Sequence, residues 1–289
     1  MLAGGPLRAA DAGDDYVADT QVWHAARVAE VDGPDGWLGL AGLYWLREGE
    51  NLLGSGPAAA LRLPHPDLEP VTGSFVLSGG VVSFKALGRV PVTRDGHEVR
   101  GTVLASDASG EPTVLAIGTL RIHVIERGGR FGVRVRETAT SRRAPFAGLD
   151  YFALDPTWIV EARFERYDPP RTVPIVNVLG MDVPMRSPGA LVFNWGGSEW
   201  RLDALLEKDD SQTLFVMFSD GTSGRTTYGG GRFLSVPLPE QGRVRVDFNR
   251  AYNPPCAFTD FATCPLPPPQ NRLSLPITAG ERRYGKSGH

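Results

Sequence analysis

The chain has 289 residues, of which 42% are hydrophobic and 22% charged, so it can bury a core and is not a disordered segment. Glycine (35) and proline (24) are both frequent and are spread along the whole length, which excludes coiled coils, helical bundles and collagen. The net charge of −3 argues against a nucleic-acid partner, because proteins that hold a phosphate backbone usually carry a basic excess.

The first predicted element is one amphipathic helix over residues 14–31. Its apolar residues recur at roughly helical spacing: Tyr16, Val17, Val22, Trp23, Ala26 and Val28. Short β-rich runs separated by turns then follow from about residue 52 to 137, and Asp95-Gly96 is a strong hairpin signal. Further candidate strands follow from residue 159 to 248. Six prolines among the sixteen residues 254–269 predict an ordered, extended loop.

These elements predict a mainly β fold, in which an N-terminal helix precedes two packed β-sandwich or barrel-like modules. The predicted divisions are 1–34 for the helix and its tail, 35–140 for the first module and 141–289 for the second. The Pro-rich loop would cover part of the second module.

The sequence also bounds compartment and partners. No stretch reaches the roughly 18 apolar residues that span a bilayer, so no membrane partner is predicted. The opening residues lack the apolar centre of a secretory signal, and the expected compartment is the cytoplasm. Cys256 and Cys264 lack the spacing of a metal clip, so no metal site is predicted, and a local disulfide is the alternative in an oxidising compartment. The cofactor and the oligomeric state are unknown.

Residues 48–124 resemble a forkhead-associated sandwich in the order of their turns and strands. Gly54 belongs to the first glycine turn, Asp95-Gly96 to a hairpin, and residues 115–125 to a closing strand. In that family an Arg after the first glycine turn, with a Ser and a His further on, holds a phosphopeptide. Here Ser55 follows Gly54 and no Ser-x-x-His occurs in the next segment, so the resemblance implies fold only and phosphopeptide binding is not predicted.

Four longer segments have a distinctive composition. They are DGWLGLAGLYWLREGENLLGS (35–55), FAGLDYFALDPTW (146–158), TSGRTTYGGGRFLSVPLP (222–239) and VDFNRAYNPPCAFTDFATCPLPPPQNRL (246–273). Together they resemble the uncharacterised bacterial and archaeal family called domain of unknown function 1684, over roughly residues 22–284. The resemblance implies kinship and brings no activity, so the chemistry has to be argued from the residues.

The predicted strand at residues 243–249 has one polar side. Its apolar side chains alternate with Arg245, Asp247 and Asn249, because successive side chains of a strand point to opposite faces. Asn253 and Cys256 follow in a loop that its prolines hold extended.

One hypothesis places these polar side chains in a small-molecule pocket between the two modules. Arginines would hold an anionic group, and Asp247 would orient them or act as the base of a hydrolytic or isomerising step. The ligand contacts would be Arg134, Tyr228, Arg232, Arg245, Asn249, Asn253 and Cys256.

The alternative is a non-enzymatic binding or scaffold protein whose Pro-rich loop is purely structural. Asp247, Asn249 and Asn253 would then bond loop backbone, since Asn and Asp near proline usually serve turns. The glycines before Arg232 would form a hairpin connection, and the Arg-rich hairpin carrying Arg134 would be a solvated sheet face. Convergence of the polar residues on one cleft favours the first hypothesis, and pairing within loops favours the second.

Overall fold

The computed structural model describes residues 13–139 and 146–285, and the tail predicted at residues 1–12 lies outside them. The chain divides into two compact units. Asp32–Phe146 forms the first, here called the sandwich unit. The second joins Met1–Val31 to Ala147–His289 and is here called the C-terminal unit. The N-terminal helix is therefore part of the C-terminal unit, whereas the sequence analysis placed it in a segment of its own.

Over residues 32–139, the sandwich unit contains eleven strands in two sheets. They are β1 (Leu40–Trp45), β2 (Gly49–Gly54), β3 (Leu61–Arg62), β4 (Gly73–Ser78), β5 (Val81–Ala86), β6 (Thr93–Arg94), β7 (His97–Glu98), β8 (Gly101–Leu104), β9 (Leu115–Ile117), β10 (Leu120–Arg127) and β11 (Arg130–Glu137). One sheet has the order β1-β11-β10-β9-β6-β7 and the other β3-β2-β4-β5-β8. The predicted Asp95-Gly96 hairpin is confirmed, since both residues have positive φ (52° and 80°) and join the paired strands β6 and β7.

Alternation along these strands builds one core between the two sheets. Phe75 and Phe84 of the five-stranded sheet share a buried cluster with Ile122 and Val133 of the six-stranded sheet. The sequence shows turn residues at short intervals and apolar residues at alternate positions. This pattern is typical of a β-sandwich, and here it corresponds to two sheets packed around one core.

In its described part, the C-terminal unit has one α-helix and one six-stranded sheet, followed by a long loop. The elements are α1 (Asp14–Asp32), β12 (Ile159–Val173), β13 (Met185–Trp195), β14 (Ser198–Leu206), β15 (Thr213–Phe218), β16 (Arg232–Pro237) and β17 (Arg243–Asp247). The sheet is antiparallel in the order β16-β15-β14-β13-β12-β17. All six strands contribute to one core, together with Leu275, Ile277 and Ala279 of the C-terminal loop.

A second apolar cluster lies on the opposite face of β14–β16. Phe215 and Phe233 pack there with Ala262 and Cys264, which belong to the Pro-rich loop. The loop therefore covers part of this sheet. The fold as a whole is mainly β with one N-terminal helix, as predicted from the sequence.

Helix α1 forms where it was predicted, but its buried face differs from the predicted one. Val17, Val22 and Val28 are 39%, 70% and 38% exposed, so their assignment to an apolar inner face is wrong. The buried positions are Thr20, Arg27 and Val31, at the spacing of one helix face. Two of these three residues are polar, and for that reason a search for apolar periodicity misses the face. In the described ranges, no helix combines the length and the apolar character required to cross a membrane.

Candidate functional site

The strand that the sequence analysis selected, β17, shows the predicted alternation. Val244 and Val246 are buried in the core and Arg245 is exposed. At the end of the strand, the Asp247 carboxylate accepts hydrogen bonds from the Tyr16 hydroxyl (2.8 Å) and from the backbone N–H of Asn249 (3.1 Å). Burial together with Asp247 raises the pKa of Tyr16 to about 12, so this phenol remains a donor. These two contacts fasten α1 and a turn at Asp247, and its role as a base stays a prediction.

Asn249 is buried, and its side chain is engaged with loop backbone and with the Asp247 carboxylate. Its Nδ2 donates to the Asp155 carbonyl at 3.0 Å, and its Oδ1 accepts from the Asp155 N–H at 3.1 Å. A side-chain amide that closes such a ring with a backbone amide leaves little capacity for a ligand. For Asp247 and Asn249, the contacts are those that the structural interpretation expected.

Arg232 is fully enclosed, with a side-chain exposure of 0%. Its guanidinium pairs with Asp220 at 2.7 Å and donates to the carbonyls of Ile277 (2.9 Å) and Ala279. Burial lowers the pKa of Arg232, and Asp220 opposes that effect. The two terminal amino groups of Arg232 face a buried carboxylate and backbone carbonyls, whereas its buried Nε has no hydrogen-bond partner among the described residues. These contacts favour a structural role, and the contact of Arg232 with an anionic ligand stays a prediction.

A buried cluster of polar groups lies next to Arg232 and centres on Glu281. Tyr151 and Glu281 form an isolated antiparallel bridge, so their side chains leave the backbone on the same face. Glu281 is completely buried and accepts from Arg27 Nε of α1 at 2.8 Å. It also accepts from the Asn253 N–H at 2.8 Å. We call Glu281, Tyr151, Arg27, His24 and Asn253 the Glu281 cluster.

One helical turn of α1 covers the bridge. His24 stacks on the Tyr151 ring, with centroids 3.7 Å apart and planes inclined by 25°. Arg27, three positions further along the helix, reaches Glu281 and lies over the Tyr252 ring at 4.5 Å. His24 and Arg27, at the i, i+3 spacing of one helix face, thus contact Tyr151 and Glu281, the two paired residues of the bridge.

Four polar atoms around the Glu281 cluster are shielded from solvent and have no hydrogen-bond partner in the part of the chain that the structure describes. They are His24 Nε2, Tyr151 Oη, Asn253 Oδ1 and Arg250 Nε, the last of which lies 3.8 Å from the Asp247 carboxylate in an ion pair. A buried polar group without a partner costs about 1–3 kcal/mol, and native proteins contain few of them. Four such atoms in one neighbourhood therefore require an explanation.

The protonation states of the cluster follow from burial and from its two charges. Burial, reinforced by the Glu281 carboxylate, raises the pKa of Tyr151, so the phenol is protonated. Burial and the Arg250 charge lower the pKa of His24, so the imidazole is neutral at pH 7. Burial acts to lower the pKa of Arg27, but Glu281 and Glu30 together outweigh it and the pKa is raised. The cluster presents two neutral rings beside a buried ion pair.

The remaining predicted residues fall into different places. Asn253 belongs to the Glu281 cluster, and its Nδ2 donates to the Arg282 carbonyl at 2.7 Å. The Tyr228 hydroxyl donates to the Cys256 carbonyl at 3.2 Å, which ties the glycine turn before β16 to the Pro-rich loop. Arg134 belongs to the sandwich unit, where it lies opposite His123 on β10.

Arg245 lines a shallow cleft of about 420 Å³ beside β17. Glu161 and Arg243, which also line this cleft, form an ion pair with each other. The side chains of this pair are 51% and 71% exposed. Ligand pockets usually enclose their ligand with apolar walls, and exposed, mutually paired charges are typical of a solvated sheet face.

Sequence reasoning missed His24, Arg27, Tyr151 and Glu281. A signal was present on α1, where Thr20, His24, Arg27 and Val31 follow at spacings of three and four residues. The spacing of these four residues is as regular as that of an apolar helix face, but two of them, His24 and Arg27, have ionisable side chains. No comparable signal marks Glu281, whose charged partner, Arg27, comes from the other end of the chain.

Comparisons with known proteins place the chain in a family. Residues 144–282 match the model described as "Protein of unknown function (DUF1684)". The solution NMR structure of an uncharacterized protein from Haloarcula marismortui is 36% identical, with 50% of this chain and 80% of that chain covered and a TM-score of 0.42.

A structure of a phosphothreonine-dependent FHA domain is 21% identical, with 36% of this chain and 96% of that chain covered and a TM-score of 0.24. Among curated proteins, none matches. The matched family model and the 36% identity to the haloarchaeal protein show that this chain belongs to the DUF1684 family.

Proposed function

We propose that the protein binds a small anionic molecule that carries a hydroxyl group, at the Glu281 cluster of the C-terminal unit. The observation that supports the proposal is the group of four buried polar atoms that lack hydrogen-bond partners among the described residues. Sites that bind polar ligands keep such atoms ready for the ligand and accept their cost in the empty state.

The chemistry of the four atoms supports this ligand class. Tyr151 Oη and Arg250 Nε are donors, and the neutral imidazole of His24 offers Nε2 as a donor in one tautomer. These donors suit the oxygens of a carboxylate or phosphate. Asn253 Oδ1 is an acceptor and suits a ligand hydroxyl. The small-molecule partner is thus retained from the sequence analysis, and the site moves from the polar side of β17 to the cluster beneath α1.

The contacts of Asp247 and Asn249 favour a second candidate, a non-enzymatic scaffold. Both side chains bond loop backbone, as that alternative expects. On this account the four atoms around the Glu281 cluster would be satisfied by ordered water alone, and no ligand would change the stability of the protein.

Thermal unfolding in the presence of chosen anions separates the two candidates. L-malate provides carboxylates and a hydroxyl, succinate lacks the hydroxyl, and inorganic phosphate tests the charge alone. We expect malate to raise the Tm in a concentration-dependent manner, because a ligand that binds only the native state stabilises it by RT ln(1 + [L]/Kd). Succinate should give a smaller shift, since it leaves Asn253 Oδ1 unpaired.

Tyr151→Phe is the informative variant, and Tyr44→Phe is its matched control. The Tyr151 hydroxyl has no partner among the described residues, so its removal should leave the Tm unchanged or raised while reducing the malate shift. Tyr44, in the sandwich unit, donates to the Arg62 carbonyl at 2.8 Å, so its variant should lose some stability and keep the full shift. No shift with any of the three anions, or equal malate shifts in both variants, would reject the site.

A further inference from the structure

The two cysteines of the chain lie side by side in the Pro-rich loop. The backbone N–H of Cys256 donates to the sulfur of Cys264 at 3.0 Å, and the N–H of Cys264 donates to the sulfur of Cys256 at 3.2 Å. Each sulfur therefore lies next to the backbone of the other residue. Because each sulfur lies within hydrogen-bond distance of the backbone of the other cysteine, we infer that a disulfide between them needs little backbone movement.

Separate parts of the C-terminal unit hold the two cysteines in place. The Cys256 carbonyl accepts from the Tyr228 hydroxyl at 3.2 Å, and the Cys264 carbonyl accepts from the Val178 N–H at 3.0 Å. Both side chains pack into the apolar cluster that contains Phe215. Their proximity is thus fixed by the surrounding fold.

Accessibility differs between the two thiols. Cys264 is 5% exposed, whereas Cys256 is half-buried. A dissolved oxidant therefore meets Cys256 first. A metal clip is disfavoured, because no group of three or more His, Cys, Asp or Glu side chains in residues 13–139 and 146–285 is arranged to hold a metal ion.

We propose that Cys256 and Cys264 form a reversible redox pair. The thiolate of Cys256 attacks a low-molecular-weight disulfide, forms a mixed disulfide and releases one thiol. The Cys264 thiolate then attacks the Cys256 sulfur, forms the internal disulfide and releases the second thiol. In total, the protein dithiol loses two electrons and two protons, and one small disulfide becomes two small thiols.

The disulfide would cross-link two positions of the Pro-rich loop, and the first of them is close in sequence to a residue of the Glu281 cluster. It closes a ring from Cys256 to Cys264, and Asn253, three residues upstream, contacts Glu281 and Arg282. A cross-link within a segment that is already ordered stabilises mainly by restricting the unfolded chain. The proposal does not depend on ligand binding at the Glu281 cluster.

The test equilibrates the full-length protein with glutathione at stepped ratios of disulfide to thiol, followed by acid quenching, alkylation with N-ethylmaleimide and intact mass measurement. We expect a change from two alkylated thiols to none, without a glutathione adduct, as the buffer becomes oxidising. The oxidised protein should also have a Tm several degrees above that of the reduced protein.

Two single variants test the order of attack. Cys264→Ser should accumulate a glutathione adduct on Cys256, because no resolving thiol remains, and Cys256→Ser should acquire little adduct on the buried Cys264. Two alkylated thiols at every ratio, a persistent adduct on the wild-type protein, or disulfide-linked dimers on a non-reducing gel would each overturn the proposal.

Discussion

Replacing Arg232 with methionine tests whether this guanidinium stabilises the C-terminal unit or is available to a ligand. Methionine keeps much of the apolar volume and removes the charge and all donors. The change leaves the completely buried Asp220 carboxylate without its counter-ion, and it leaves the carbonyls of Ile277 and Ala279 without their donor.

The expected loss can be worked from these contacts. Breaking a buried ion pair by removing one partner costs about 3–5 kcal/mol. Asp220 keeps two donors of Thr222, its backbone N–H and its hydroxyl, which moderates the loss. The orphaned carbonyls each add about 1 kcal/mol or more, although not additively. We therefore expect about 4 kcal/mol, a large part of the roughly 5–15 kcal/mol that stabilises an ordinary domain.

Urea unfolding followed by tryptophan fluorescence measures this loss, with Arg245→Met as the control. Arg245 is an exposed arginine of the same unit, so its variant should stay within about 0.5 kcal/mol of the wild type. At an m-value of about 2 kcal/mol/M, the Arg232→Met midpoint should fall by roughly 2 M. A loss below about 1 kcal/mol would refute the structural role and restore Arg232 as a ligand contact.

Two further predictions concern stability. Burial and the neighbouring Arg134 lower the pKa of His123 to about 4. The unfolded chain therefore binds a proton that the native state does not, and stability should fall by up to about 3 kcal/mol between pH 6.5 and 4. His123→Gln should flatten that part of the pH profile of urea unfolding, and equal slopes for both proteins would contradict the assignment. Gly280→Ala should cost more than 2 kcal/mol, roughly, because φ is +77° and the new Cβ would meet the Ala251 carbonyl at 2.4 Å. Gly129→Ala has a similar φ of +72° and open space, so calorimetry should show only the conformational cost of about 1 kcal/mol.

The sequence predicts best what is decided locally. The hairpin of β10 and β11 follows from two alternating runs around Gly128-Gly129, and both glycines adopt the positive φ that this turn needs. The helix at the N-terminus was also predicted within one residue of its end. Its packing face was not, because apolar periodicity has no means of recognising Arg27 as an inward residue whose charge is neutralised by Glu281.

The candidate site shows the same limit more sharply. Alternation along β17 correctly separates Val246 from Asp247, but it cannot reveal that Tyr16 occupies the Asp247 carboxylate. Likewise, the glycine turn before Arg232 does not indicate that the Arg232 guanidinium forms a buried ion pair with the Asp220 carboxylate. Polar residues in a strand-rich protein often pair with residues that are distant in sequence. Only the folded structure shows which of these pairs form.

The pairing of Arg27 with Glu281 spans 254 positions and has a consequence for how the protein is made. The arginine is synthesised 254 residues before its counter-charge, so this ion pair cannot form until the strands of the C-terminal unit that lie between them have been made. It also means that a fragment trimmed to the family match at residues 144–282 lacks the arginine that neutralises its own buried carboxylate. Such a fragment should require a synthetic α1 peptide, supplied in trans, to recover the stability of the intact chain.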